Sequence, residues 1–221
     1  MMVTMARLSP VPPIAAPLPD VRTERLDLRR FDRGDLDELT ALFAQPEVWQ
    51  YPYGRGFTAR ETADFLDRQV SGWEVAGFGC WVARTLDDGR IIGYIGLSVP
   101  TFLPEILPAV EVGWRLAPAA WGRGYATEGA RAALDEGFGT LRLDRVCSLP
   151  QAGNRASVAV AERLGLTLQR EVEVPATDRR GSLTALLYEI ERNAWLGGDL
   201  HRPREASSQA TARRARSRSR D

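Results

Sequence analysis

The stretch between residues 110 and 138 constrains the fold most, because it joins a strand, a glycine-rich turn and a helix without interruption. The segment VEVGWRL alternates apolar residues with Glu111, Gly113 and Arg115, which is the period-two pattern of a strand with two different faces. Gly122 and Gly124 then permit a tight turn, and small or apolar residues recur at helical spacing beyond them. The pattern predicts a helix whose unpaired first-turn N–H groups form an anion site, and the alternative is an ordinary helix-entry turn.

Periodic segments also fill the rest of residues 22–196. Apolar spacing and caps predict helices over residues 32–45, 58–75, 124–138 and 154–164. Alternating patterns predict strands over residues 23–31, 78–85, 90–99, 109–116, 143–149, 166–174 and 182–191. In the second helix, Thr58 followed by Glu61 forms a capping-box pattern. The order predicts an α/β fold with a mixed sheet rather than a doubly wound parallel one.

The two ends of the chain differ in composition from this central domain. Residues 1–21 contain repeated prolines, which favour a flexible leader over a signal peptide. Residues 197–221 form an arginine-rich segment with hardly any large apolar residue, so we expect a disordered tail. Residues 201–221 contain seven arginines against Glu205 and Asp221. Because the formal net charge of the whole chain is zero, the rest of the chain is negative. The tail is either a solvated extension or a contact to nucleic acid or the ribosome.

The cysteine and histidine content limits the classes of site that are expected. Cys80 and Cys147 lie far apart in apolar stretches, which favours buried free thiols over a disulfide framework and predicts a reducing, cytoplasmic location. His201 is the single histidine and lies in the polar tail, so neither a histidine base nor a metal site is expected. No apolar run has the length of a membrane helix, so we expect no membrane contact.

Three segments resemble the GNAT superfamily of acetyltransferases. The segment WGRGYATEGARAALDEGF is similar to its CoA pyrophosphate loop, Q/R-x-x-G-x-G/A, with Gly124 and Ala126 at the last two fixed positions. Trp121 replaces the leading residue, as in the branch that acetylates ribosomal-protein N-termini. EVGWRL before the loop, and NRASVAVAERLGL from Asn154 to Leu166, also resemble that branch. The likeness covers roughly residues 22–192.

The resemblance implies a GNAT fold: a mixed, mostly antiparallel sheet of about seven strands flanked by four helices, with a splayed strand pair for CoA. It also implies acetyl-CoA as the acetyl donor and no metal. The strand backbone would pair with the pantetheine arm, and a strand N–H of Arg115 or Leu116 would stabilise the oxyanion. The implied CoA-binding residues are Trp114, Arg115, Leu116, Gly122, Arg123, Gly124, Tyr125, Ala126, Thr127 and Asn154.

Two residues are candidates for proton transfer. Glu111 is the candidate base, directly or through water, and the alternative is a partly buried structural carboxylate. Many GNAT members use a tyrosine to protonate the departing thiolate, but that position is Ala161 here. Ser157 stands where the ribosomal branch carries a serine and inherits the role, unless it is an ordinary first-turn helix residue. Asn154 either contacts pantetheine or only caps its helix.

The expected activity is acetyl transfer from acetyl-CoA to a primary amine by direct attack. A protein N-terminus, an aminoglycoside-like molecule or a polyamine remains open as the acceptor, and so does a monomer or a homodimer. Five aromatic residues either line an acceptor pocket or belong to the core or to a lid: Trp49, Tyr51, Tyr53, Phe57 and Trp73. The alternatives from other classes are a non-catalytic acyl-CoA sensor or interaction module, and a nucleic-acid-associated protein.

Overall fold

The computed structural model describes residues 17–198. Six helices are present in this part: α1 Leu36–Phe43, α2 Gln50–Tyr53, α3 Ala59–Ala76, α4 Tyr125–Gly139, α5 Arg155–Arg163 and α6 Arg192–Gly197. Eight strands accompany them: β1 Val21–Arg22, β2 Leu26–Arg29, β3 Cys80–Thr85, β4 Ile91–Ser98, β5 Glu111–Leu116, β6 Arg145–Ser148, β7 Thr167–Val174 and β8 Leu183–Glu191. The four helices and seven strands predicted from the sequence are all among them.

The strands form one mixed sheet with the order β1-β2-β3-β4-β5-β6-β8-β7. Only the β5–β6 pair is parallel, and every other pair of neighbours in this sheet is antiparallel. The prediction of a mixed, mostly antiparallel sheet is therefore confirmed. The crossover that makes β5 and β6 parallel is α4, as expected for parallel neighbours, which need a long connection.

Helices cover both faces of the sheet and bury separate apolar clusters. On one face, α4 packs its small residues, including Ala130 and Ala133, over Ile95 and Val112, all fully buried. On the other face, α1 and α3 enclose an aromatic cluster built around Phe43, which is fully buried. The central strand β3 is buried along most of its length, because helices cover both of its faces.

The structure differs from the sequence-based expectation at both ends of the domain. The predicted leader extended to residue 21, but Leu18 is fully buried and Val21 already pairs with Leu28 in the sheet. At the other end, α6 was not predicted as a helix, and it docks through Trp195, whose indole donates to Asp135. Residues 1–16 and the tail from residue 199, including His201, lie outside the described residues.

Both cysteines are free and buried, as the sequence predicted. Burial raises the pKa of the Cys80 thiol to about 12 and raises that of Cys147 as well, so neither is a nucleophile at neutral pH. Between residues 17 and 198, no helix is both long and apolar enough to cross a membrane.

The start of α3 gives a first prediction. The Thr58 hydroxyl accepts from the Glu61 N–H at 3.2 Å, and the Glu61 carboxylate accepts from the Thr58 N–H at 2.9 Å. Thr58→Ala removes half of this capping box, so we expect the free energy of unfolding to fall by about 1 kcal/mol. Denaturant unfolding measures it, and Thr58→Ser, which keeps the hydroxyl, is the control. Equal stability of the two variants would contradict the capping role.

Candidate active site

The central strands β5 and β6 lie side by side at one pair of residues and then separate toward the C-terminal end of β5. β5 and β6 share the single partner pair Glu111 and Cys147, and the Cys147 N–H donates to the Val110 carbonyl at 2.9 Å. Along the rest of β5, as far as Leu116, no strand formed by residues 17–198 lies beside it on that side. The two strands therefore enclose a cleft that opens toward the glycine-rich loop, which matches the predicted splay.

The register of β5 decides which of its backbone groups face this cleft. The Ala117 N–H donates to the Ile92 carbonyl of the β4 side, whereas the Val110 carbonyl bonds to β6. Because successive residues of a strand alternate between its two neighbours, the N–H of Arg115 points to β4. The N–H groups of Trp114 and Leu116 point into the cleft. Of the two predicted oxyanion donors, the register favours Leu116 over Arg115 and adds Trp114.

The Trp121 indole occupies the last backbone carbonyl of β5 that faces the cleft. The Nε1–H of Trp121 donates to the Leu116 carbonyl at 2.8 Å, while half of the Trp121 side chain remains exposed. The residue that replaces the leading Gln or Arg of the loop motif thus satisfies the last strand carbonyl. The groups left for an extended ligand are the carbonyl of Trp114 and the N–H groups of Trp114 and Leu116.

Glu111 lies at the point where the strands part. Burial raises the pKa of its carboxyl group to about 7, although the Leu149 N–H bonded to it and the nearby Arg115 charge act in the opposite direction. The side chain is on the same face of β5 as Gly113 and Arg115, opposite the buried Val112. A carboxyl group that titrates near neutral pH can accept a proton there.

The loop before α4 presents backbone N–H groups with no side chain covering them. Gly122 and Gly124 have φ values of +70° and +84°, and Gly124 caps α4 without a side-chain hydrogen bond. The first-turn N–H groups, from Tyr125 onward, therefore remain available to an anion at the positive end of the helix dipole. This arrangement fits a diphosphate.

A brace from the first hairpin holds this loop in place. The Arg25 guanidinium pairs with Glu128 in the first turn of α4 at 2.6 Å and donates to the Arg123 carbonyl at 2.9 Å. The Thr23 hydroxyl donates to the same carboxylate at 2.6 Å. The guanidinium groups of Arg25 and Arg123 both lie over the Tyr125 ring, at 4.7 and 5.2 Å. Two positive charges therefore flank the loop.

The start of α5 contains the other predicted residues. The Asn154 side chain accepts from the Ser157 N–H at 3.2 Å, so Asn154 is the N-cap of α5. The Ser157 side chain is partly exposed, and within the described part of the chain its hydroxyl makes no hydrogen bond. It is therefore free to donate a proton or a hydrogen bond to a ligand.

The aromatic residues between positions 49 and 73 divide between core and surface. Trp49, Phe57 and Trp73 are buried and belong to the apolar clusters. Tyr51 and Tyr53 are partly exposed, and the Tyr51 hydroxyl donates to the Gly153 carbonyl at 3.0 Å. Tyr51 and Tyr53 therefore remain candidates for the wall of an acceptor pocket, and Trp73 lines a cavity between α3 and β4.

Comparison with known proteins agrees with this geometry. Residues 25–167 match the family described as the acetyltransferase (GNAT) domain. The chain belongs to the GNAT family of acetyltransferases. It is an acetyl-CoA-dependent acyltransferase, and the uncovered strand groups and the glycine-rich loop fit the thioester arm and diphosphate of that donor.

Several relatives cover most of the GNAT chain. An FsC-acetyl coenzyme A-N(2)-transacetylase of Aspergillus fumigatus is 34% identical over 194 residues, which are 80% of this chain and 78% of that protein. The uncharacterized protein YkkB of Bacillus subtilis is 32% identical over 153 residues, 68% of this chain and 86% of its own. A crystal structure of an Agrobacterium tumefaciens acetyltransferase is 32% identical with a TM-score of 0.64, covering 79% of this chain and 95% of that one.

Several groups of this GNAT site could not be found from local patterns. The Arg25 brace and the Tyr51 bond each join residues about a hundred positions apart. The Arg115 side chain was not assigned a role, yet it donates to two carbonyls of residues 46–53. The only sequence signal for it was its position on the same strand face as Glu111.

Proposed function

We propose that the protein transfers an acetyl group from acetyl-CoA to the nitrogen of a primary amine by direct attack, with Glu111 as the general base. The position of Glu111 carries this proposal, because its carboxyl group lies where β5 and β6 part and titrates near pH 7. The uncovered N–H groups of β5 begin a few residues above it. Base and oxyanion donors therefore line the same cleft.

The residues of the chain divide the work as follows. The thioester of acetyl-CoA supplies an activated acyl group. The N–H groups of the Gly122–Thr127 loop hold the diphosphate, with Arg123 beside them. The strand N–H groups of Trp114 and Leu116 stabilise the negative charge that develops on the acyl oxygen. Glu111 accepts the proton of the attacking amine, directly or through a water molecule.

The thiol that leaves needs a proton, and Ser157 is the proposed donor. Its hydroxyl makes no hydrogen bond within residues 17–198 and lies in the first turn of α5, the helix that follows β6 in the chain. Ser157→Ala should lower kcat by about 10- to 100-fold, because a neutral hydrogen-bond donor is lost where charge develops. Single-turnover kinetics measures the step. Ser157→Thr, which keeps the hydroxyl, is the control, and an unchanged rate in the alanine variant would remove Ser157 from the mechanism.

The class of acceptor remains a proposal among three: a protein N-terminus, an aminoglycoside-like molecule and a polyamine. The name of the Aspergillus fumigatus relative specifies transfer to a nitrogen, N(2), which supports an amine acceptor. A polycation would require several unpaired carboxylates. Glu105 is engaged by Arg170 at 2.9 Å, which weakens the case for both polycations, the polyamine and the aminoglycoside.

The decisive experiment is a thiol-release assay with acetyl-CoA and the full chain. The panel contains an unblocked peptide with an N-terminal serine, an aminoglycoside and spermidine, and mass spectrometry locates the acetyl group on the product. Release that depends on one of these amines supports the proposal. Acetylation of a hydroxyl instead of a nitrogen would contradict it.

A non-catalytic acyl-CoA sensor or interaction module is the second candidate. It shares the CoA-binding loop, so binding alone does not separate the two. It predicts CoA binding without thiol release for any amine, and no effect of Glu111 or Ser157 substitutions. The neutral-range pKa of Glu111 favours the enzyme, because a sensor has no use for a carboxyl group poised to exchange a proton.

The two buried free thiols support the cytoplasm as the location of the protein.

A further inference from the structure

One segment connects the two sides of the cleft. Residues 46–53, here called the strap, comprise the short helical turn Pro46–Trp49 and α2. On the β5 side, the Arg115 guanidinium donates to two strap carbonyls, those of Val48 at 2.6 Å and Tyr51 at 2.7 Å. On the other side, the Tyr51 hydroxyl donates to the Gly153 carbonyl, between β6 and α5. Because β5 and β6 are the strands that part, the strap spans the opening.

The Arg115 side chain is fixed in the geometry that this attachment needs. Its Nε donates to the Tyr94 hydroxyl at 3.2 Å, and the guanidinium lies 4.0 Å over the Trp49 ring. Trp49 in turn stacks on Phe57 at 3.7 Å inside the aromatic cluster. A planar fork with several donors can hold two carbonyls, a hydroxyl and an aromatic face at once, whereas a lysine ammonium cannot.

Open space lies next to this attachment. Gly113 is between Glu111 and Arg115 on the same strand face, and a Cβ atom added at Gly113 would meet no atom within 4 Å. The cleft is therefore bounded on this face by Glu111, by the open position at Gly113 and by the Arg115 side chain that carries the strap. The strap therefore lies beside the open position that separates Glu111 from Arg115.

We propose that Arg115 and Tyr51 are positioning residues that hold the strap across the cleft, beside the face of β5 that carries Glu111. This inference rests on the proposed function, because it concerns the amine that Glu111 deprotonates. Arg115 contacts strap atoms and not the reacting groups. Its loss should therefore weaken acceptor binding and leave the CoA loop unchanged.

Arg115 has a second, electrostatic effect that a purely structural residue would lack. The titratable groups that face Glu111 are Arg115 on β5, Tyr94 on β4, Cys80 on β3 and Cys147 on β6. The pKa values of Tyr94 and of both thiols are raised, so Arg115 is the only one of the four that is charged at neutral pH. Removing its charge should raise the pKa of Glu111 further.

The test compares Arg115→Met, Arg115→Lys and Tyr51→Phe with the wild type, using the panel amine that the wild type acetylates best. We expect KM for that amine to rise about tenfold or more in Arg115→Met and severalfold in Tyr51→Phe, because charged and neutral hydrogen bonds are lost. The dissociation constant of CoA should stay within about twofold. Amide hydrogen exchange of residues 46–53 should accelerate in both variants.

The pH dependence separates charge from geometry. The midpoint of the kcat/KM profile should shift upward in Arg115→Met. In Arg115→Lys it should stay near the wild-type value while KM still rises, because lysine keeps the charge but not the fork. Arg33→Met is the control, because within residues 17–198 the Arg33 side chain makes only an exposed pair with Asp67, away from the strap.

The outcomes distinguish this inference from the proposed function. If the wild type binds CoA but acetylates no panel amine, the proposed function fails, and hydrogen exchange alone decides whether the two residues hold the strap. If Arg115→Met leaves KM, the pH midpoint and exchange of residues 46–53 unchanged, the inference is overturned. If Arg115→Met does not fold, Tyr51→Phe decides, because it removes only one hydroxyl.

Discussion

Glu111→Gln is expected to lower kcat for acetyl transfer by about 100- to 10,000-fold, the usual contribution of a positioned general base. Glutamine is similar in size and can still accept from the Leu149 N–H that bonds to the carboxylate. Affinity for CoA should therefore hardly change. Steady-state kinetics with the preferred amine and calorimetry with CoA measure the two quantities.

The pH dependence of the wild type provides an independent measure of the same group. A base must be deprotonated, and burial raises the pKa of Glu111 to about 7. The logarithm of kcat/KM should therefore rise with pH, bend near pH 7 and reach a plateau above it. This bend should be absent from the residual activity of Glu111→Gln. Glu105→Gln, at an exposed ion pair, is the matched control.

The free energy of unfolding should also depend on the ionisation of Glu111, but it should fall as pH rises, whereas activity rises. The folded-state pKa of Glu111 lies above the ordinary glutamate value of 4.5, so between about pH 4.5 and 7 the unfolded chain releases a proton that the folded chain keeps. This group therefore lowers the free energy of unfolding as pH rises through that window. Glu111→Gln should lose this dependence and be relatively more stable above pH 7. A variant with unchanged activity and an unchanged pH profile would show that Glu111 is only a structural carboxylate.

Gly124→Val is expected to weaken CoA binding by about 100-fold or more. The residue has a φ of +84°, which a β-branched side chain rarely adopts, and a Cβ there would lie 3.3 Å from the Arg25 guanidinium. Relief of this strain turns the loop N–H groups away from the diphosphate, and each charge-assisted hydrogen bond lost weakens binding about tenfold or more. Equilibrium titration with CoA measures the effect.

Gly89→Val is the matched control for this variant. Gly89 has a φ of +69° in the turn between β3 and β4, where a Cβ would meet nothing within 4 Å. It should carry a similar backbone strain, visible as a lower unfolding midpoint, without a change in CoA affinity. If both variants bind CoA equally well, the diphosphate is not held by the loop at residues 122–127.

Much of the fold could be predicted because its signals are local. The alternation of VEVGWRL, the cap at Thr58 and the glycines before α4 each act within a few residues, so a single sequence reveals them. The same is true of Glu111 as the candidate base, since its place on one face of a strand follows from the period of two. The boundaries shifted where packing intervened. Leu18 joined the core, although its proline-rich surroundings favoured a flexible leader.

The sequence by itself determined the order of helices and strands, the uncovered loop before α4 and the strand face that carries Glu111, because these depend on chain geometry between near neighbours. Tertiary structure alone decided which strand N–H groups enter the cleft, how Arg25 braces the loop, and that Arg115 and Tyr51 hold residues 46–53 across the opening. It also set the pKa of Glu111, since burial and charge depend on which distant residues the sheet brings together.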